Sequence, residues 1–131
     1  MANKLRAAVI GCGGIANNHI AGYLNTGRYE VVALADVNPA AMNEKNDRHN
    51  ISPVHYLDAR VMLEQERPDV VSICVWHGGH APWTIAAAAF QPKAILCEKP
   101  MADTVGNAEQ MLIACQRSGV KLAIAHQRRF L

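Results

Sequence analysis

The stretch LRAAVIGCGGIAN, residues 5–17, decides the fold of this chain. Its first half is a short apolar run, typical of a buried parallel strand. Gly11, Gly13 and Ala16 then follow the spacing G-x-G-x-x-G/A, and helical periodicity continues over residues 15–24. This pattern predicts a strand, a tight turn and a helix whose N-terminus receives a pyrophosphate.

Each small residue of the motif has a mechanical reason. Gly11 permits the tight turn, and Gly13 leaves the backbone open to the approach of a pyrophosphate. Ala16 lets the helix lie close on the strand. Gly14 and Ile15 complete the first turn, whose free N–H groups and positive dipole end would face the phosphates. The alternative is a turn that uses glycine for its backbone conformation alone.

A carboxylate after the second predicted strand strengthens the prediction of dinucleotide binding. The apolar run 31–35 ends in Asp36, twenty residues after Ala16. A carboxylate there is placed to accept hydrogen bonds from both hydroxyls of an adenosine ribose. A 2′-phosphate would meet like charge, and neither Val37 nor Asn38 supplies a cation. We therefore expect NAD as the cofactor, with NADP disfavoured.

The composition indicates one domain with neither nucleic acid nor a membrane as a partner. Half of the 131 residues are hydrophobic, and 13 basic residues stand against 11 acidic ones, for a net charge of +2. These charges are too balanced and too dispersed for nucleic-acid binding. No apolar run approaches the ~20 residues of a membrane span. Since we also expect no signal peptide, we predict a cytoplasmic protein.

The four cysteines predict a reduced protein and no metal centre. They form no C-x-x-C pair, and three of them lie inside apolar segments, where thiols behave as small hydrophobes. Cys12 differs, because a helix N-terminus would lower its pKa and leave a redox role open. His77 and His80 could supply two metal ligands, but no third ligand of suitable spacing follows.

Apart from the metal-site alternative, the histidines are expected either in the cofactor cleft or at the surface. His80 is predicted to line the cofactor cleft, with a purely structural role as the alternative. Solvent or helix-surface positions are expected for the remaining four: His19, His49, His55 and His126.

Strand and helix alternate along the whole chain, which predicts a Rossmann-type doubly wound parallel sheet in a single domain. The later predicted strands cover residues 51–56, 70–75, 94–97 and 120–125, and helices begin near Pro39, Asp58, Pro82 and Thr104. Ligands of such sheets bind beyond the carboxyl ends of the strands. That edge includes Val75 and Trp76 after the fourth strand, and Glu98 and Lys99 after the fifth.

The segment Glu98-Lys99-Pro100 taken alone is compatible with a surface turn that holds an ion pair. It follows a strand of a predicted nucleotide-binding sheet, and with the other motifs it makes the chain resemble the N-terminal domain of the Gfo/Idh/MocA oxidoreductases. The resemblance covers essentially all residues. It rests on VIGCGGIA (9–16), ALAD (33–36), SIC (72–74), His80 with APWTIAAA (81–88), LCEKP (96–100) and RRF (128–130).

This resemblance implies an NAD(P)-dependent oxidoreductase acting on a hydroxyl or carbonyl group of a sugar, cyclitol or related compound. It assigns Lys99 a catalytic role in hydride and proton transfer beside the nicotinamide. Residues 75–80 and Glu98 would line the cofactor, and Arg129 would border the site. The family's second domain, which carries the substrate pocket, is absent from this sequence, so we expect little activity from the chain alone. Assembly into a homo-oligomer stays open.

Two alternatives remain. One is a non-enzymatic dinucleotide-binding module or partner subunit, although binding alone does not need Lys99. The other is the corresponding domain of an enzyme such as glucose-6-phosphate dehydrogenase, but the short spacings and the RRF motif favour the first family. The sequence also departs from the family pattern. Val75-Trp76-His77 stands where Thr-Pro-Asn is usual, which predicts a bulkier wall beside the nicotinamide. Pro92 also replaces a usual glycine.

Overall fold

All six strands of the computed structural model are parallel, in a chain described from residue 3 to residue 125. The strands are β1 (Leu5–Ile10), β2 (Tyr29–Ala35), β3 (Val54–Tyr56), β4 (Val70–Ile73), β5 (Ala94–Glu98) and β6 (Lys121–Ala125). Their order in the sheet is β3-β2-β1-β4-β5-β6. The order reverses between β1 and β4, the switch point of a doubly wound sheet. The predicted Rossmann-type fold is confirmed.

Over these residues, five α-helices connect the strands. They are α1 (Ala16–Thr26), α2 (Pro39–His49), α3 (Ala59–Glu66), α4 (His80–Ala88) and α5 (Val105–Ser118). Side-chain oxygens of Asn38, Asp58 and Thr104 cap α2, α3 and α5. The fourth helix begins at His80, before the predicted Pro82, because a 3-10 turn at His77–Gly79 leads directly into it. None of these helices has the length and hydropathy needed to cross a membrane.

Two strands are shorter than predicted by two residues or more, the third and the fourth. The fourth ends at Ile73, which pairs with Ile10, and β1 turns away at Gly11. One more bond, from the N–H of Cys74 to the carbonyl of Ile10 at 2.7 Å, follows before the two segments separate. The third begins only after Pro53, which has no N–H to donate to a ladder. It lies at the sheet edge, as predicted.

The core occupies both faces of the sheet. On one face α3, α4 and α5 pack over strand residues that include Ala8, Ile73 and Ile95. On the other face α1 packs over Val9, and its Ile20 is fully buried there. Helices on both faces leave the carboxyl edge of the strands as the place where the loops gather. The site lies at that edge.

Candidate functional site

The glycine-rich turn between β1 and α1 contains two glycines with different roles. Gly11 has a φ of 92°, and a Cβ added to it would lie 2.8 Å from backbone atoms of Cys74 and Val75. Only glycine fits this close approach of two backbone segments. A Cβ added to Gly13 would meet nothing within 4 Å. The first glycine therefore holds the turn against β4, and the second leaves space above the turn.

The N-terminus of α1 is open to an anion. The helix starts at Ala16, directly after Gly14 and Ile15, and no side chain caps it. The N–H of Ala16 bonds to the carbonyl of Gly13 at 3.2 Å, so hydrogen bonding within the helix begins only there. Uncapped amide groups and the positive end of the helix dipole favour a phosphate at this place.

A cleft of about 330 Å³ lies above the turn. It is lined by the turn itself and by the segments that follow β2, β3 and β4. Three of its lining residues, Val37, Leu57 and Trp76, are largely exposed apolar side chains, and Val37 is 89% exposed. Exposed apolar side chains around a concave site are typical of ligand pockets. The cleft thus combines apolar side chains, which can pack against a ligand, with the backbone N–H groups of the turn.

Asp36 lies in the cleft wall and also ties two loops together. Its Oδ2 accepts a hydrogen bond from the N–H of Cys12 at 2.7 Å, and its Oδ1 accepts one from the N–H of Asn38 at 2.8 Å. An ionised carboxylate has about four acceptor positions, so capacity remains for the hydroxyls of a ribose. The link to the turn was missed from the sequence, because it joins residues on different strands.

The expectation that the helix N-terminus lowers the pKa of Cys12 is wrong. The side chain is buried, and its Sγ lies 3.8 Å from the carbonyl oxygen of Ala35. Burial, together with the charge of Asp36, raises the pKa of Cys12 to about 12, and the nearby charge of Lys45 offsets only part of this shift. Desolvation outweighs the effect of the helix N-terminus here. A redox role for this thiol has no support in the structure.

We expect all four cysteines to resist Ellman's reagent at about pH 8 in the folded chain, because they are buried and thiolates are the reactive species. Burial raises the pKa of Cys97 to about 11 and also raises the pKa of Cys74 and of Cys115. The measurement is release of thionitrobenzoate with and without denaturant. All four thiols should react after unfolding, and rapid reaction of any one in the native chain would contradict the prediction.

A buried polar network joins α1 to the ends of β4 and β5. His19 Nε2 lies 2.6 Å from Glu98 Oε2, and His19 Nδ1 lies 2.9 Å from Ser72 Oγ. The Tyr23 hydroxyl lies 2.6 Å from the same Ser72 Oγ. All four side chains are buried. The prediction of a solvent or helix-surface position for His19 is therefore wrong.

The sequence does contain a signal that His19 is buried. His19 lies on the same stripe of α1 as Ala16, Ile20 and Tyr23, and these four are the buried residues of the helix. Such spacing marks a core-facing helix stripe. The polar partners of the histidine could not be foreseen, because Ser72 is 53 residues away along the chain.

The segment Glu98-Lys99-Pro100 divides into a buried and an exposed part. Glu98 is 6% exposed and is held by His19, so its carboxylate is not engaged in a surface ion pair within the described part of the chain. It does not line the cleft above the turn. Lys99 is exposed at the carboxyl end of β5. The peptide bond between Lys99 and Pro100 is cis.

His80 is a second buried histidine at this edge. Its Nδ1 lies 2.6 Å from the carbonyl oxygen of Pro100, and its Nε2 lies 2.8 Å from that of Val75. The residue is 1% exposed and does not line the cleft. The ring lies between the loops after β4 and β5, and its predicted role toward the cofactor stays a prediction.

Two further histidines, His49 and His55, have asparagine partners. His49 Nε2 lies 3.0 Å from Asn17 Oδ1, and His55 Nε2 lies 3.0 Å from Asn46 Oδ1. Both histidines are half-buried. His126 and Arg129 lie outside the described residues. Between residues 3 and 125, no cluster of three or more histidine, cysteine, aspartate or glutamate side chains is arranged to hold a metal ion.

The structure therefore divides the predicted cofactor residues into three groups. Those in the cleft wall are Gly11, Gly13, Asp36, Val37, Val75 and Trp76. Those at the start of α1 are Gly14, Ile15 and Ala16. Those at the end of β5 or behind it are His80, Glu98 and Lys99.

Comparison with known proteins gives consistent matches over almost the whole chain. The family model described as an oxidoreductase family with an NAD-binding Rossmann fold matches residues 5–126. D-apiose dehydrogenase of Paraburkholderia graminis is 32% identical over 127 residues, which cover 97% of this chain and 33% of that protein. Inositol 2-dehydrogenase of Salmonella typhimurium is 29% identical over 128 residues, covering 96% of this chain and 38% of that protein.

A solved structure gives the same result. The WlbA dehydrogenase from Bordetella pertussis, in complex with NADH and UDP-GlcNAcA, superposes with a TM-score of 0.89 at 30% identity. The match covers 97% of this chain and 38% of that one. The chain thus spans about a third of the length of the relatives it matches.

Proposed function

Because the chain belongs to the Gfo/Idh/MocA oxidoreductases, whose NAD-binding Rossmann fold it has, we propose that it is the cofactor-binding part of an NAD-dependent dehydrogenase. The substrate class we propose is a sugar, a cyclitol or a related hydroxyl compound. Relatives named as D-apiose, inositol and D-glucoside dehydrogenases support this class. Within such an enzyme, this chain supplies one wall of the reaction cleft.

The observation that carries the proposal is that Gly13, with empty space beside its Cα, and the Asp36 carboxylate lie in the wall of the same cleft. The space above Gly13 fits a pyrophosphate that approaches the backbone, beside the uncapped N-terminus of α1. Asp36 lies in the same wall with acceptor capacity to spare for a ribose. Val37 and Trp76 provide apolar cover. These residues fit a dinucleotide better than a compact anion, which would need the turn alone.

Lys99 is the residue we propose for the chemistry. A bound nicotinamide supplies the hydride acceptor or donor. The lysine is exposed at the carboxyl end of β5, the edge where the cleft lies. From there its Nζ can hold a positive charge beside a substrate oxygen and exchange a proton with it. The side chains around the cleft bind and orient, and the lysine stabilises charge that develops on the oxygen.

Titration with NADH tests the binding part of the proposal directly. The chain has two tryptophans, and both Trp76 and Trp83 line the cleft. Binding should therefore quench tryptophan fluorescence and transfer energy to the reduced nicotinamide. Substitution of Trp76 by phenylalanine should remove part of this signal. Absence of saturable NADH binding by fluorescence and by calorimetry would overturn the proposed function.

We expect the chain to prefer NAD to NADP, and Asp36→Ala to weaken NAD binding by about tenfold or more. A hydrogen bond to a charged group is worth about 1.5–3 kcal/mol, and the carboxylate repels a 2′-phosphate. Since Asp36 also accepts from the N–H groups of Cys12 and Asn38, Asp36→Asn is the milder variant: it keeps one oxygen acceptor. Calorimetric titration with both nucleotides gives the ratio of dissociation constants.

The control for net charge is Asp47→Asn on α2. Asp47 is exposed and lies away from the cleft, so its substitution should change neither affinity. Tighter binding of NADP than of NAD to the unmodified chain would contradict the prediction.

A further inference from the structure

Two buried histidines hold the segment that carries Lys99 from opposite faces of the sheet. His19 belongs to α1, which packs on one face, and its Nε2 bonds the Glu98 carboxylate at 2.6 Å. His80 begins α4, which packs on the other face, and its Nδ1 lies 2.6 Å from the carbonyl oxygen of Pro100. The residue before Lys99 and the residue after it are therefore each anchored to a different helix.

The anchor on the α1 side is the end of a longer chain of hydrogen bonds. Burial raises the pKa of Tyr23 to about 12, so its phenol keeps the proton and donates to Ser72 Oγ. The distances fit an assignment in which the Ser72 hydroxyl donates to His19 Nδ1 and His19 donates its Nε2–H to Glu98. In that assignment every donor has an acceptor. Fully satisfied buried networks of this kind are rigid.

The anchor on the α4 side joins two loops. The His80 ring spans from the carbonyl of Val75, after β4, to the carbonyl of Pro100, after β5. Val75 lines the cleft, whereas Pro100 follows Lys99 directly. Both partners are acceptors and a neutral imidazole has one N–H, so the ring donates to both carbonyls only when each nitrogen carries a proton; the bond that matters for the lysine-bearing segment is the one from Nδ1 to Pro100.

We propose that His19 and His80 are positioning residues that together hold Lys99 at the edge of the cleft. We call them the histidine clamp. The proposal rests on the reaction role proposed above for Lys99. A lysine side chain has many rotatable bonds, so the placement of its charge depends on a fixed backbone at its base. The clamp provides that base from both sides of the sheet, and neither histidine itself lines the cleft.

The test uses the two amide side chains that imitate one imidazole nitrogen each. The amide nitrogen of glutamine can take about the place of imidazole Nε2, and that of asparagine the place of Nδ1. At His19 the bond to the lysine-bearing segment comes from Nε2, but at His80 it comes from Nδ1. His19→Gln and His80→Asn should therefore keep the clamp, while His19→Asn and His80→Gln should break it. A role in packing alone would rank the two amides in the same order at both positions.

The first readout needs neither cofactor nor substrate. The backbone order parameter of Lys99, from NMR relaxation of the chain, should stay near about 0.85 in the variants that keep the clamp and fall toward about 0.6 in the others. His55→Asn is the matched control, because His55 lies on the edge strand β3, separated from β5 by three strands of the sheet, and bonds Asn46. It should leave Lys99 unchanged. Equal order at Lys99 in all four clamp variants would overturn the proposal.

The second readout is turnover in the longer protein that contains this region and its substrate domain. The two variants that break the clamp should lose about tenfold to 100-fold in kcat, the scale of a small misplacement of a catalytic group, with the dissociation constant of NAD changed much less. The other two should stay close to the unmodified enzyme. We call this the crossed pattern, because glutamine is tolerated at position 19 and asparagine at position 80. If the same amide were the better substitute at both positions, the clamp would be refuted.

The two readouts separate the clamp from the proposed function. If the unmodified enzyme transfers no hydride to any polyol or sugar, the proposed function fails, and the order parameters alone decide the clamp. If it is active and the crossed pattern appears in both readouts, both proposals stand. If a variant loses its thermal transition, its amide partner at the same position still provides the comparison.

Discussion

Replacing Gly13 with valine should abolish NAD binding and leave the fold intact. A Cβ at this position would meet no protein atom within 4 Å, so the backbone has no steric reason to move. The same open space is where a pyrophosphate must approach, and a branched side chain would fill it. We expect affinity to fall on the order of 100-fold or more, about 2.8 kcal/mol. Fluorescence titration with NADH measures the loss, and the thermal midpoint reports on the fold.

The matched control is Gly22→Val. Gly22 also has open space around its Cβ, but it lies on the exposed side of α1 and does not line the cleft. Binding should be unaffected there. Gly11→Val offers the opposite contrast, since a Cβ at Gly11 would collide with the backbone after β4 and should destabilise the whole domain. Undiminished NADH binding by the Gly13 variant would mean that the phosphates bind elsewhere.

The second large effect is expected at Lys99. In the longer protein that contains this region, Lys99→Met should reduce kcat by about 100-fold or more, the usual contribution of a general acid–base group. Methionine keeps most of the length of the side chain but removes the charge and the exchangeable proton. The dissociation constant of NAD should change far less, because the turn and Asp36 lie elsewhere in the site. Steady-state kinetics with a polyol or sugar substrate and NADH titration measure the two quantities.

Lys93→Met serves as the control for this variant. Lys93 is also exposed, and it precedes β5 at the amino end, the far end of the strand from Lys99. Its loss should leave both turnover and binding unchanged. Full activity of the Lys99 variant would remove the role that we propose for that residue, while leaving the binding site untouched.

Much of the fold could be predicted because its signals are local. The alternation of apolar runs with capped helices needs only neighbouring residues, and Asn38, Asp58 and Thr104 all cap the helices that follow them. The ends of the strands were less predictable. The fourth strand stops at Ile73 because its partner turns away at Gly11, which is a property of a different segment.

The site was harder to predict because its contacts are distant along the chain. The bond from His19 to Glu98 joins residues 79 positions apart. The pKa of Cys12 depends on two opposing influences: burial raises it and the helix N-terminus lowers it. The sequence indicates only the second. The motifs thus indicated the glycine-rich turn and Asp36 of the cleft wall but not Leu57 or Trp83, and the buried groups of the polar network needed three-dimensional coordinates.

The two hydrogen bonds of Asp36 have a consequence for attempts to redesign the cofactor preference. A switch to NADP would ordinarily begin by removing this carboxylate and adding a cation nearby. Here the same carboxylate also fixes the amide groups of Cys12 and Asn38, so its removal loosens the loop on which any dinucleotide depends. Two mutations would have to arrive together: one that admits the phosphate, and one that restores an acceptor for those amides. Such coupling makes the NAD preference resistant to single-step change, in the laboratory and in evolution alike.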